Sequence, residues 1–469
     1  MSRRITEDKQ VEARQLLEAP PATHLPVVVS DSLPAVPALT PEVNKQTPAI
    51  GRRVSRPDIR THITGTTRYI DDLSFPGMLH CKILRSAHAH ARILSVGVGE
   101  AEKMPGVVAT LTGAEVPVNS FGSTYQDQPV LAADRVRYRG DGIVAVAAET
   151  EQQAREALAA VKVEYEPLPA VFDPLVAMDP DAPKIHRNNN VYTSKVISRG
   201  DVERGFDESD QIFERRYTTQ MIEHVPLEPF ASIALWEPDG QLHVYSTNGR
   251  ITLGRADLAR TLGLPMNRIR LTATIIGGSF GGKNEIRTEP ILALLAKKTG
   301  RPVKCTFTRP EEFYASTTRH PLIMDYKTGV TKEGKILGRK IRLVLDGGAY
   351  CSWSETTLGK ACILSAGPYN IENVYAEAFV VYTNKTMTGA MRGFGAPQVC
   401  FAYESHMDEI AHDLGIDPLD IRLINAFEEG SISPTGQKLQ SVVVKESLLQ
   451  AAQRFGWNGS GNGKANGAR

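Results

Sequence analysis

No uninterrupted apolar run in this sequence approaches the roughly 18–20 residues that cross a bilayer, so membrane insertion is not expected. No charge of either sign dominates. The chain has 54 basic and 53 acidic side chains, a formal net charge of +1, and so no global field to draw in nucleic acid or an anionic membrane surface. No C-x-x-C pair occurs among the five cysteines, Cys81, Cys305, Cys351, Cys362 and Cys400. Their wide spacing argues against a disulfide framework and against a zinc or iron–sulfur site within this chain, and leaves reduced, mostly buried thiols as the expectation. A secretory leader is not evident either. Met1-Ser2-Arg3-Arg4 carries paired arginines, but Glu7, Asp8 and Lys9 stand where the apolar segment of a leader would lie. A cytoplasmic location is expected, with no nucleic-acid partner.

What is present is an ordinary globular composition, 41% hydrophobic and 23% charged, over 469 residues, a length that suits two or three domains. Residues 1–50 are rich in proline and small side chains without periodicity and read as an extended N-terminal arm. Residues 457–469, in the stretch "NGSGNGKANGAR", read as a flexible tail. Between them, residues 51–175 mix short strands with one clear helix. Thr150 and Gln153 form a Thr-x-x-Gln start, after which Ala154, Leu158 and Val161 fall on one face. "KVEYEPL" then alternates as a half-buried strand. Residues 190–430 alternate strands and helices. "DLARTLGL" predicts a short helix before a strand "IRLTATII", and "PILALLAKKTG" carries Pro290 at its start and Gly300 at its end. A hairpin should turn at Glu333-Gly334, and "QVCFAYESHMDEIAHDLG" should be an amphipathic helix stopped by Gly415. The class is α+β, with mixed α/β segments.

Two glycine-rich stretches carry the chemistry. "IGGSFGGKN", residues 276–284, misses the phosphate-loop pattern G-x-x-x-x-G-K-[ST] by one position, because Asn284 replaces the magnesium-binding hydroxyl. In a phosphate loop the helix begins at the G-K step; Pro290 would then fall in its second turn, at about 3 kcal/mol. Both points count against a nucleotide, although Asp346 at the end of "IRLVLD" resembles a strand-borne second magnesium ligand. The remaining readings are a tight connection, or a turn whose backbone amides meet metal-oxo or phosphate oxygens. A second stretch, "GAMRGFGAPQ" from Gly389 to Gln398, adds Arg392 and Phe394 on a flexible backbone before a helix.

Together these segments resemble the molybdenum-binding subunit of the xanthine dehydrogenase and aldehyde oxidase family, over roughly residues 50–455. "RTHITGTTRYIDDLSFPGMLHCKILRSAHAHARILSV" and "ADRVRYRGDGIVAVAAETEQQAREALAAVKVEYEPLPAV" look like that family's α/β hammerhead domain, here 51–175. "HVPLEP", "IGGSFGGKNE", "DGGAYCSW", "AGPY" and "GAMRGFGAPQ" follow in family order, in what would be a first molybdopterin-binding domain over 190–430. The resemblance implies molybdenum on a pyranopterin, molybdopterin or its cytosine dinucleotide, with water as the oxygen source. Electrons would leave through 2Fe-2S clusters to FAD, both on partner subunits.

By the same resemblance, Gly277, Gly278, Ser279, Phe280, Gly281 and Gly282 form the loop whose amide meets the molybdenum's apical oxygen, so that Phe280 lies near the metal through its ligands. Arg392 and Gly393 contact the cofactor from the second loop, Arg392 likewise near the metal. Asn248 stands where the family often has glutamine. Phe394 would stack on a planar substrate. Asn284 replaces the substrate-binding glutamate of purine-oxidising members, and Lys360 falls near their arginine, so a purine pocket is not expected and an anionic substrate is compatible.

Residues 431–456 resemble the start of the family's next domain, which normally carries the catalytic glutamate. No carboxylate of this chain, Glu228 and Glu285 included, has a better claim to that role, and no catalytic residue is assigned to this chain. The pattern is similar to enzymes whose molybdenum subunit is split over two polypeptides, as in nicotinate dehydrogenase. A second molybdopterin-binding subunit would supply the glutamate, beside iron–sulfur and FAD subunits, and this chain alone should be inactive. The expected function is oxidative hydroxylation of an N-heteroaromatic compound or aldehyde. The alternatives are a non-catalytic scaffold of the same fold and, more remotely, a phosphate-loop-like NTPase.

Overall fold

The computed structural model describes residues 55–186 and 189–457. The expected arm over 1–50, and all of the expected tail beyond residue 457, lie outside the described residues.

Alternating and continuously apolar strands assemble into two large sheets. The first has seven strands in the order Ile269–Thr272, Leu242–Ser246, Ala231–Trp236, Val303–Thr306, Leu79–Arg85, Gly142–Ala148 and Val107–Thr112. Its strands come from both sides of the stretch between residues 175 and 190. They meet where Leu79 and His80 pair in parallel with Val303 and Lys304. The helix Glu289–Thr299 lies on this sheet with Ile291, Leu292, Ala293, Leu295 and Ala296 all buried. Pro290 occupies its first turn, where no amide partner is needed, and Gly300 closes it at φ +67.

The second sheet has five strands in the order Val191–Arg199, Asn373–Tyr382, Ile336–Gly348, Leu322–Val330 and Gln211–Thr218. The hairpin between Leu322–Val330 and Ile336–Gly348 turns at Gly334, φ +86. Helices Ser354–Leu364 and Ala396–Leu414 contribute Leu358, Ala361, Val399, Ala402 and Ile410 to its core. Gly415 ends the longer helix at φ +69.

A smaller sheet of Arg135–Val136, Ala91–Gly97 and Lys162–Pro167 shares a buried cluster with the helix Glu151–Leu158, which lies on Leu79–Arg85 and Gly142–Ala148 of the first sheet. Thr150 Oγ1 accepts from the Gln153 amide at 3.2 Å, as its motif requires. Gln153 does not complete the reciprocal cap. Its side-chain oxygen accepts instead from the Thr150 hydroxyl at 3.0 Å. The expected strand "IRLTATII" also stops early, at Thr272. Its neighbour Leu242–Ser246 pairs Tyr245 with Thr272 and then ends, so the ladder has no further partner. Among the described residues, no helix is long and apolar enough to cross a membrane.

Buried acids stitch the loops to the sheets. Asp127 accepts from Tyr382 Oη at 2.6 Å and from the Cys351 amide at 2.8 Å, while its second oxygen has no partner. Burial pushes its carboxyl up to about 7. A proton held more tightly in the folded than in the unfolded chain makes stability fall as pH rises from the ordinary carboxyl range, near 4, through 7. Asp127→Asn keeps an acceptor for Tyr382 and Cys351 and removes the titration. Its melting temperature relative to the wild type should therefore climb by several degrees between pH 5 and pH 8 in parallel thermal melts. A difference that stays flat with pH would contradict the assignment.

Candidate functional site

The chain leaves the first sheet at Thr272 and forms an irregular loop up to the helix Glu289–Thr299. A buried ion pair roots it. Lys283 Nζ donates to Glu228 O at 2.7 Å and to Glu228 Oε2 at 2.9 Å, and Oε2 also accepts from the Gly277 amide at 2.8 Å. The return bond runs from the Glu228 amide to Gly277 O at 3.0 Å. Burial lowers the Lys283 pKa, against the opposing pull of Glu228.

The second glycine stretch docks directly on the first. The Arg392 amide donates to Phe280 O at 2.9 Å. Gly281, at φ +108, lies so close to the second loop that a Cβ there would fall 2.5 Å from Ala390 O. The same carbonyl meets His224 Nε2 at 2.7 Å, and Gly282 packs over the His224 ring. Two sequence-distant turns are thereby held as one surface.

That surface is strained. Among the described residues, five non-glycine residues have positive φ: Val225, Phe280, Ser352, Phe394 and Ser441. The first four belong to the segments that converge here. Such conformations cost of order 1–3 kcal/mol each and persist where surrounding structure imposes them, often at ligand sites. Between Gly277 and Gly282, the backbone amides of Gly278, Ser279, Phe280 and Gly281 find no acceptor among the described residues. Successive unpaired amides on a glycine-bearing turn form a concavity suited to anionic or metal-oxo oxygens. This donor set fits the pterin-held metal that the sequence resemblance implies.

The other sequence-predicted positions separate. Asn284 adjoins the site and lies beside Gly249, whose amide donates to Lys283 O at 2.7 Å. Asn248 is fully buried: its Oδ1 accepts from the Arg250 amide at 2.7 Å, and its unpartnered Nδ2 is turned toward Gly254 in the helix Ile251–Leu262. Phe280 is half exposed and Arg392 exposed, while Phe394 is partly buried at the turn into the helix Ala396–Leu414. Lys360 stands on the exposed flank of the helix Ser354–Leu364, lining a groove with Lys195, Glu355 and Ile363. Thr357 and Ala361 of that same helix meet the second loop at Gly395. Glu285 is buried and accepts from Ser352 Oγ at 2.9 Å, and burial raises its pKa. Glu228 and Glu285 are thus each engaged through one oxygen, and Glu228 Oε1 has no partner among the described residues.

Sequence reasoning missed three contributors. His224 and Val225 lie in "HVPLEP", and Ser352 lies in "DGGAYCSW"; their only signal was presence in segments of family order. A phosphate loop is not formed. The Gly282-Lys283 step opens no helix, and Lys283 Nζ is taken by Glu228. Asp346 is buried and accepts from Thr383 Oγ1, the Gly348 amide and Lys385 Nζ. Among the described residues, no group of three or more His, Cys, Asp or Glu side chains is placed to ligate a metal directly.

Comparison with known proteins identifies the domains that carry these loops. Residues 184–426 match the molybdopterin cofactor-binding domain, and residues 64–169 match the a/b hammerhead domain of aldehyde oxidase and xanthine dehydrogenase. A probable xanthine dehydrogenase subunit of Bacillus subtilis is 41% identical over 87% of this chain and 56% of its own length. The nicotinate dehydrogenase large molybdopterin subunit of Eubacterium barkeri is 36% identical over 88% of this chain and 97% of its own. Among solved structures, the aldehyde oxidoreductase of Desulfovibrio gigas superposes with a TM-score of 0.83 at 32% identity, over 89% of this chain and 48% of that one. The chain thus spans about half the length of some relatives and nearly the whole of another. With its hammerhead and cofactor-binding segments in the same order, it belongs to the molybdopterin-binding family of xanthine dehydrogenases and aldehyde oxidases.

Proposed function

We propose that this chain is the molybdenum-binding subunit of a multi-subunit hydroxylase that oxidises an N-heteroaromatic compound or an aldehyde, with water as the oxygen source. The supporting observation is the joined pair of loops: Arg392 N bonded to Phe280 O, beside the unpaired amides of Gly278 to Gly281. Those amides, with Arg392 and Gly393, would hold the cofactor. Asn248 would act from behind, through the turn it caps at Arg250. When bound, molybdenum on a pyranopterin supplies two-electron oxidation at the substrate carbon.

The chain's own residues would orient the substrate. Phe394 would offer a ring face to a planar substrate, Asn284 an amide in place of a carboxylate, and Lys360 a cation at the edge. The proton acceptor is assigned to a second molybdopterin-binding polypeptide, because Glu228 is rooted in the fold by its ion pair with Lys283 and Glu285 is buried against Ser352. Iron–sulfur and FAD subunits would carry the electrons away. A cytoplasmic assembly suits the five unpaired thiols, four of them buried. The nicotinate dehydrogenase subunit and a quinoline 2-oxidoreductase from Pseudomonas putida 86, the latter with a TM-score of 0.81 at 29% identity, are named for heteroaromatic substrates and support one here.

The test is metal and pterin analysis of the co-purified complex, together with turnover by the isolated chain. Stoichiometric molybdenum, and activity only in the complex, are expected. An active, intact complex without molybdenum would point to a scaffold role, and turnover by this chain unaided would remove the need for a second polypeptide.

A further inference from the structure

Arg250 is an exposed cation with no carboxylate partner among the described residues, yet it is not free to wander. Its guanidinium centre lies 4.4 Å over the ring of Trp353. Stacking on an indole restrains an arginine that would otherwise sample many rotamers, and it leaves the in-plane N–H edge open to a ligand.

Trp353 is itself held in place. The preceding Ser352 takes φ +47, its hydroxyl donates to buried Glu285 at 2.9 Å, and its carbonyl accepts from Ser123 Oγ at 2.6 Å. Gly389, which opens the second loop, presses on that hydroxyl so closely that a Cβ would fall 2.6 Å from it. One helical turn on, Thr357 donates its amide to Trp353 O at 3.1 Å, while its own carbonyl meets Gly395. From the other side, Gly249 binds Lys283 O and lies against Asn284. The Arg250–Trp353 stack therefore occupies the angle between the two loops.

The charges around it favour an anion. Glu228 is paired with Lys283, burial raises the Glu285 pKa toward its neutral form, Asn284 is neutral, and Arg392 also has no carboxylate partner among the described residues. A planar guanidinium with a free edge matches a carboxylate bidentately.

We propose that Arg250, braced on Trp353, reads a carboxylate on the substrate, so that the site takes planar aromatic acids in preference to their uncharged counterparts. This deepens the proposed function and rests on the loops being the molybdenum site.

The experiment is calorimetric titration of the purified complex with benzoate and with benzamide, a pair alike in ring and size that differ in charge. The wild type should bind benzoate about 10- to 100-fold more tightly, the range of a charge-assisted pair. Arg250→Met should abolish that preference, Arg250→Lys should retain part of it, and benzamide binding and melting temperature should hold in both. Equal binding of the two probes by the wild type, or an undiminished benzoate preference in Arg250→Met, would overturn the proposal. Molybdenum content measured on the same samples reads the proposed function separately. A metal-free complex would sink that reading while the Arg250 comparison still reports on the anion.

Discussion

On the proposed cofactor role of the two loops, Gly281→Ala should strip the purified protein of molybdenum while leaving the chain folded. At φ +108 an L-residue is strained whatever the space around it. The space is also absent: the new methyl would fall 2.5 Å from Ala390 O and 2.8 Å from Ala390 C. These are backbone atoms held by His224, so no side chain can swing aside. Either Gly281 or the second loop must move, and the bond from Arg392 N to Phe280 O must stretch with it. A shift of about 1.4 kcal/mol in cofactor binding is a tenfold rise in its dissociation constant. Strain and clash together exceed that, so cofactor should be lost on purification and molybdenum per chain should fall well below the wild-type content by elemental analysis. Gly263→Ala is the control. It also replaces a positive-φ glycine, at φ +65, but one with nothing near its Cβ, and it should keep its metal. Full metal content in Gly281→Ala would mean that the spacing of the two loops does not govern cofactor binding.

Lys283→Met should be among the most destabilising single changes in the first sheet's loop system. It leaves the Glu228 carboxylate buried with the Gly277 amide as its remaining partner, a type of loss that runs to about 3–5 kcal/mol. Removing the charge as well, by Glu228→Gln, should recover much of that, because the side-chain amide oxygen would still accept from Gly277. The burial penalty on Lys283 already outweighs its attraction to Glu228, as the lowered pKa indicates. The pair is thus better explained by the path it fixes for the loop than by net stability. Scanning calorimetry of Lys283→Met alone and combined with Glu228→Gln reads this directly. A double variant no more stable than the single would refute it.

Local chemistry made part of the fold legible. Pro290, Gly300, Gly334 and Gly415 each mark a turn or helix end that the nearby chain alone imposes. The two glycine stretches were likewise readable as turns. Their docking was not, because the bond from Arg392 N to Phe280 O joins residues far apart in sequence through backbone atoms that carry no side-chain signature. Nor could residue type announce that Phe280, Phe394, Val225 and Ser352 take left-handed backbone, which tertiary contacts force on them. Asn248 and Lys360 illustrate a third limit. Position along the chain brings both near the site, but the direction of each side chain is set by helix packing, which turns one inward against Gly254 and the other outward beside Lys195.

The seven-stranded sheet also bears on how this chain can be handled. Because Leu79–Arg85 sits between Val303–Thr306 and Gly142–Ala148, severing the polypeptide near residue 180 and separating the pieces would expose an unpaired ladder on each. Naked edges of that kind recruit other strands, so recombinant fragments divided there would tend to clump, whereas the undivided chain keeps both margins covered.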